Sequence, residues 1–491
     1  MRILIATNTY TPHLNGQAVF TASLAEGLAG EGHQVTVLVP GINRTESEVK
    51  NGVLIEPTPT IDLRFIHKEF FISWRYGKIV KRVFEEQRPD VVHLQDPAPL
   101  SQMVLKEAHR RGIPVVATHH TGPAIWAPYL SEHDPFMMKV AVPILWGWIV
   151  SFLNQADKVT VPSRASVSML EKHGLHVPVK PISCGVRLNN FNQALTLDAA
   201  LARHQFGLTE NKKHFLYVGR IDEEKRVDVL LKGLANTINP DVDLVVAGSG
   251  AAEESIVSLA KQLGLKDRVK FLGKVEREKL PALYAACDVF VMPGDVESLS
   301  IATLEAMACG KPIIAANAMA LPEMVHPGKN GFLFTPRNPQ DLGKRMDQLI
   351  NLNYRWSQMG KYSLELVQRH DQNLTINNYA DLYQKLSKQN QIKRHVPVWQ
   401  RLPQTLVNPY GLVVFAQWAI TVGVILISLL TRSSPVIAAS KPQIDILTPE
   451  MMQNIREILA TLRYLDLPSN QANGVLAISN SLRNFLSLLR P

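Results

Sequence analysis

Short apolar runs recur along the first three hundred or so residues, each closed by a polar or glycine-bearing stretch. Ile3–Ala6, Gln34–Val39, Val91–Leu94, Pro114–Thr118 and Lys158–Val161 form one series. Phe215–Val218, Leu244–Ala247, Val269–Leu272, Val289–Met292 and Pro312–Ala315 form a second. Runs of this length bounded by turn residues predict buried strands. The segments between them carry apolar residues at helical spacing. The first, with Phe20, Leu24 and Leu28, stops near Gly30 and Gly32, as a helix should. Strand, loop, helix and strand in repetition is the βαβ unit, and its sheets are parallel and covered on both faces. The two series join around residues 185–205. The pattern therefore predicts an α/β chain of two doubly wound, Rossmann-like domains facing a cleft, 1–190 and 191–390.

After residue 390 the pattern changes. Residues 391–410 read as a basic linker. Gly411–Leu430 is then twenty residues without a charge. As a helix at ~1.5 Å per residue it would span roughly 30 Å, the hydrocarbon thickness of a bilayer. A single transmembrane helix at 411–430 is the expectation, followed by a helical tail over 431–491 to which no chemistry is assigned.

Composition narrows the class. With 46% hydrophobic and 19% charged residues among 491, the chain is neither disordered nor a disulfide scaffold. Cys184, Cys287 and Cys309 are scattered, which gives neither a disulfide framework nor a zinc pair and implies a reducing compartment. The start holds only a short apolar stretch, too brief for a signal peptide. Of the net charge of +9, more than half sits in residues 391–491, which hold nine basic and four acidic side chains. No basic recognition helix stands out in the folded part, so nucleic acid is not an expected partner and an anionic membrane surface is. Arg64–Arg88 interleaves seven basic residues with aromatics, and Phe136–Leu153 has the single charge Lys139. Both suit the headgroup layer of a bilayer.

Two stretches carry candidate chemistry. In Glu297-Ser-Leu-Ser-Ile-Ala-Thr-Leu-Glu305, Glu297 falls in a strand-to-helix loop. Ser298 or Ser300 is placed to cap a helix that contains Glu305 and stops before Gly310. Such a helix start, beyond strand ends, attracts phosphate. In Tyr217-Val-Gly219-Arg220-Ile-Asp-Glu-Glu-Lys225, Gly219 permits close backbone approach, and two cations at one sheet edge suit a diphosphate. The same cations also fit an ion-pair face with Asp222, Glu223 and Glu224. Gly248-Ser-Gly250 lacks a third glycine at position 253, so the dinucleotide fingerprint fails. Asp241-Val-Asp243 resembles a metal-binding pair but leads into a strand, and no His/Cys cluster has zinc spacing.

Gly219-Arg220 with Lys225, the Glu297–Glu305 spacing and Gly328-Lys-Asn-Gly331-Phe-Leu together resemble family-four retaining glycosyltransferases of the GT-B fold, similar to bacterial glycolipid-type enzymes. Pro12 to Gly16, Gly32-His33, Pro162-Ser163, Gly185-Val186 and Leu321-Pro322-Glu323 extend the resemblance over the first 390 residues. The resemblance implies that Gly16 lets the first loop approach the donor and that His120 is the active-site histidine near the reacting face of the sugar. Either His119 or His120 also fits a packed structural histidine. By the same resemblance Arg220 and Lys225 bind the diphosphate, Glu297 contacts the transferred sugar, and Glu305 contacts the ribose. Backbone amides of Leu299, Ser300 and Ile301 complete the phosphate cradle. The family's usual Pro-Asn-Gly-Val-Asp near the hinge is Ile182-Ser-Cys-Gly-Val-Arg187 here, a departure that leaves no Asn or Asp contact there.

The implied reaction moves a sugar from a nucleotide diphosphate, a UDP-sugar in preference to a GDP-sugar, to a membrane lipid such as diacylglycerol. Anomeric configuration is retained, no metal or cofactor is expected, and the catalytic domains lie on the cytoplasmic face. A soluble acceptor or a nucleotide-sugar epimerase on the same fold is the alternative. Acceptor choice would depend on the pocket around Trp126 and Tyr129.

Overall fold

A computed structural model describes residues 1–11, 15–41, 46–62, 71–73, 76–120, 122 and 135–393. The expected span at 411–430, the tail at 431–491, Pro12, most of 63–75, Trp126 and Tyr129 lie outside the described residues. Among the described residues no helix is long and apolar enough to cross a membrane.

The strands are β1 (Arg2–Ala6), β2 (Gln34–Pro40), β3 (Glu48–Lys50), β4 (Val53–Thr58), β5 (Thr60–Asp62), β6 (Phe71–Ser73), β7 (Val91–Leu94), β8 (Val115–Thr118), β9 (Lys158–Val161) and β10 (Val179–Pro181). The second series is β11 (Lys213–Val218), β12 (Val242–Ala247), β13 (Val269–Gly273), β14 (Val289–Met292), β15 (Ile313–Ala316) and β16 (Gly331–Phe334). One sheet has the order β10-β9-β8-β7-β1-β2-β4-β3 and another β13-β12-β11-β14-β15-β16. All pairings are parallel except the β3 edge and the small β5–β6 ribbon. In each large sheet the chain winds outward from its first strand on one side, then restarts on the other. The switch points lie between β1 and β7 and between β11 and β14, and there the outward loops diverge and leave room for a ligand.

Alternation along β1 shows why both faces are covered. Ile3 and Ile5 join one buried cluster, and Leu4 and Ala6 join another on the opposite face. The sequence pattern missed β3, β4, β5, β6, β10 and β16, and in β4 the apolar run is interrupted by Glu56 and Pro57. The Glu56 carboxylate is nonetheless buried, because Arg82 and Ser47 donate to it at 2.9 and 2.8 Å. The second sheet has a single continuous core from Val186 to Val367.

The last described helix, Gln372–Lys393, departs from the predicted boundary at residue 390. Its Ile376, Tyr379, Leu382 and Tyr383 complete the core of the first sheet beside Ile3, Val37 and Val116. The chain therefore crosses between the sheets twice. The crossings touch where Val186 pairs with Asp371 and His370 Nδ1 lies 2.8 Å from Ser183 Oγ. At the departure from the family pattern, Arg187 donates to Gln372 Oε1 (2.9 Å) and lies 3.4 Å from Glu26 Oε2.

Candidate active site

The loops after β11 and β14 flank the switch point of the second sheet, and they carry most of the predicted site residues. Lys225 and Glu297, seventy-two positions apart, meet directly: Nζ lies 2.7 Å from Oε1. Their side chains are only 18% and 10% exposed, so this pair is shielded from screening by water. Arg220 pairs with Asp222 and with Glu224, the latter at 2.7 Å. Both readings of this stretch thus meet in one arrangement, because the ion pairs form but both carboxylates are buried. They are no solvated face. They hold a guanidinium that is itself 40% exposed at the sheet edge.

Backbone packing fixes this loop. Tyr217 Oη donates to the Arg220 carbonyl at 2.6 Å, and a Cβ at Gly219 would lie 2.8 Å from the Tyr217 hydroxyl oxygen. The glycines set aside as a failed fingerprint have a role here. A Cβ at Gly248 would sit 1.8 Å from the Gly219 carbonyl oxygen, and one at Gly250 would sit 2.3 Å from that of Ile221. Asp222 Oδ1 also accepts from Ala251 N at 2.9 Å, which ties the two loops together.

Ser300 caps the Ile301–Ala308 helix, accepting from Thr303 N. Of the two predicted serines, it is Ser300 that serves. Leu299 packs on the core beneath, and Ile301 opens the helix. Glu305 lies on that helix, buried, with the Tyr284 hydroxyl donating at 3.2 Å and the Arg277 guanidinium forming an ion pair at 3.9 Å. Burial pushes its carboxyl up to about 7, against the opposing pull of Arg277. Downstream, Ala320 N donates to the Glu297 carbonyl at 3.1 Å. Glu323, a turn later, accepts from Arg164 N and Ala165 N at 3.1 and 2.8 Å. That carboxylate reaches across to the first sheet and satisfies the open amides of the Arg164–Lys172 helix, whose dipole favours a negative charge there.

The first sheet supplies Gly16 and His120. Gly16 opens the Gly16–Gly30 helix, capped by Asn15, and among the described residues a Cβ there would meet nothing within 4 Å. His120 follows β8. Its Nε2 lies 2.7 Å from Gln95 Oε1, and its ring lies 5.2 Å from that of Phe20. Burial, with His119 beside it, holds its pKa down to about 3, so the ring is neutral. His119 turns elsewhere, 5.8 Å from Trp146, and among the described residues its buried Nε2 has no hydrogen-bond partner.

Sequence reasoning missed Gln95 and Asp96. Asp96 is half-buried and accepts from Asn8 N, Gln17 Nε2, Ala98 N and Ser101 Oγ at 2.6–3.1 Å. It pins the β1 loop and the helix carrying Gly16 to β7. The available signal was position, since Gln95-Asp96 follows β7 directly at the switch point. Among the described residues no three His, Cys, Asp or Glu side chains converge as a metal site. Asp243 lies within β12.

Two sequence families match the chain in tandem. The Glycosyltransferase Family 4 model covers residues 14–190, and that of Glycosyl transferases group 1 covers residues 198–365. The chain belongs to the family-four glycosyltransferases. The matched segments coincide with the two sheets, and the glycosyltransferase fold is GT-B. An alpha-monoglucosyldiacylglycerol synthase of Streptococcus pneumoniae is 26% identical over 325 residues, 64% of this chain and 71% of that protein. A GDP-mannose-dependent alpha-mannosyltransferase of Corynebacterium glutamicum is 27% identical over 338 residues, 68% of this chain and 76% of its own. In three dimensions this glycosyltransferase resembles Anabaena HepE, solved in complex with UDP. The TM-score is 0.61 at 22% identity, covering 79% of this chain and all of HepE.

Proposed function

We propose that this glycosyltransferase moves a sugar from a nucleotide diphosphate donor, a UDP-sugar, to a membrane lipid acceptor such as diacylglycerol, with retention and without a metal. The observation that carries the reading is the Lys225–Glu297 pair beside Arg220 at the switch point of the second sheet. The cations stabilise the charge that grows on the leaving diphosphate. Glu297 takes hydrogen bonds from the sugar hydroxyls, and the capped helix start at Leu299, Ser300 and Ile301 faces phosphate with its amides. Glu305 takes the ribose. His120 and Gly16, from the first sheet, border the sugar.

On this reading the leaving diphosphate and the incoming hydroxyl share one face of the sugar. The diphosphate accepts the acceptor's proton, so no carboxylate nucleophile is needed. Closure of the two sheets, clasped by Glu323, excludes the water that would hydrolyse the donor.

The lipid acceptor rests on the uncharged Gly411–Leu430 segment, read as a single membrane span with the catalytic domains on the cytoplasmic face, and on the monoglucosyldiacylglycerol in the name of the pneumococcal relative. The UDP-bound neighbour supports the donor class. The GDP-mannose dependence of the corynebacterial relative makes GDP-mannose the second donor to test.

The experiment is a panel of radiolabelled UDP- and GDP-sugars offered to the full chain in anionic vesicles containing diacylglycerol. Label entering the organic phase with one donor, and lost in Lys225→Ala, supports the reading. Donor consumed only when soluble sugars or polyols are added discards the lipid acceptor. Donor altered with no acceptor present favours an epimerase.

A further inference from the structure

We infer that Gln95 is a positioning residue for transfer, holding His120 as the tautomer with its hydrogen on Nε2 and leaving Nδ1 as the acceptor for a hydroxyl of the transferred sugar. This rests on the transferase reading above.

Gln95 is 1% exposed, and its backbone N–H donates to the Ala6 carbonyl at 3.0 Å, fixing it to β1. An amide oxygen only accepts, so the 2.7 Å contact of Oε1 with His120 Nε2 requires a hydrogen on that nitrogen. The other end of the amide settles its orientation. Gln95 Nε2 lies 3.1 and 3.2 Å from the two ring nitrogens of His93. Burial keeps His93 neutral, its pKa held down to about 3, so one of its nitrogens is bare. Tyr383 and Thr118 hold the two ring nitrogens, and an amide nitrogen equidistant from both lies over the ring, whose π face attracts N–H and repels an amide oxygen.

His93 is itself fixed from both sides, with Tyr383 Oη 2.6 Å from Nδ1 and Thr118 Oγ1 2.6 Å from Nε2. A buried chain thus runs from Tyr383 on the last helix through His93 and Gln95 to His120. Phe20 packs against the His120 ring, and Nδ1 makes no hydrogen bond among the described residues. Among the described residues the neighbouring His119 has no such partner, so it is His120 that the amide holds.

The test begins with nitrogen-15 histidine spectra of the full chain, in which His120 should show its hydrogen on Nε2 at neutral pH. Gln95→Leu should let both tautomers form and lower kcat ~10- to 100-fold, the size of effect that misplacing a reacting group produces. KM for the nucleotide sugar should stay within about twofold, because the nucleotide contacts lie on the second sheet. Gln95→Glu keeps an acceptor at Nε2 but favours the imidazolium, so its activity should recover at alkaline pH and fall at acid pH. A merely structural glutamine gives no such profile.

Hydrogen on Nδ1 in the wild type, or unchanged kcat in Gln95→Leu, overturns the inference. Should the wild type turn over no nucleotide sugar, the transferase reading has failed. The spectra then decide the tautomer alone, with Nε2 supporting it and Nδ1 overturning it.

Discussion

Replacing Lys225 by methionine removes the ammonium 2.7 Å from Glu297 Oε1 while keeping most of the side chain's volume. Two effects follow, and they separate. The first is on stability. The pair is mostly buried, so the orphaned carboxylate stays in a poorly solvated place, and breaking such a pair costs roughly 3 kcal/mol. For a domain of this size that lowers Tm by about 6–12 °C. The second is on chemistry. Loss of one donor that stabilises developing charge costs ~100- to 1,000-fold in turnover.

The double variant Lys225→Met/Glu297→Gln removes both charges, so it should recover most of the Tm and none of the turnover. Differential scanning calorimetry reads the first effect, and initial rates with labelled donor read the second. A single variant whose turnover stays within about threefold of wild type would refute the placing of Lys225 on the leaving group. A normal Tm would refute the claim that the pair is shielded.

Three further expectations follow from the same geometry. The Glu305 carboxyl is raised from the usual 4.5 to about 7, so between these values the folded chain holds a proton the unfolded chain has lost. Stability should therefore fall as pH rises through that window, and denaturant titrations of Glu305→Gln should show a smaller slope. Gly248→Ala drives a Cβ into the Gly219 carbonyl and displaces the loop bearing Arg220. Calorimetric affinity for UDP should fall by roughly 1–3 kcal/mol, the cost of overpacking, and unaltered affinity would contradict it. Glu323→Ala uncaps the Arg164–Lys172 helix and should cost about 1 kcal/mol, read by urea unfolding, with Glu323→Gln falling between.

Both sheets were readable from the chain because most of their central strands are short apolar runs, as in β14 and β15. The strands that escaped are edge strands or carry a polar residue satisfied by a distant partner. Glu56 in β4 looks like a break until Arg82, twenty-six positions away, is seen to neutralise it. At the candidate site, local chemistry such as the Ser300 cap was visible, since it depends on neighbours three residues off. The Lys225–Glu297 contact and the Gln95–His120 contact were not, because spacing along a chain says nothing about which loops meet at a switch point. The packing role of Gly248 was hidden for the same reason: it lies against a carbonyl twenty-nine positions upstream.

The Tyr379 and Tyr383 hydroxyls reach back to Thr160 and His93, and this bears on the order in which the protein is made. At ~5–20 residues per second, a ribosome delivers Tyr379 roughly 20–70 s after β1. During that interval every strand of the first sheet has emerged, yet one face, with Ile3, Val37 and Val116 at its centre, has only the Gly16–Gly30 helix over it and still lacks the rest of its cover. The second sheet can finish its own core first, because no part of that core comes from the last helix. The half of the chain synthesised first is thus the half completed last, and His93 waits on nearly three hundred further residues for its buried partner.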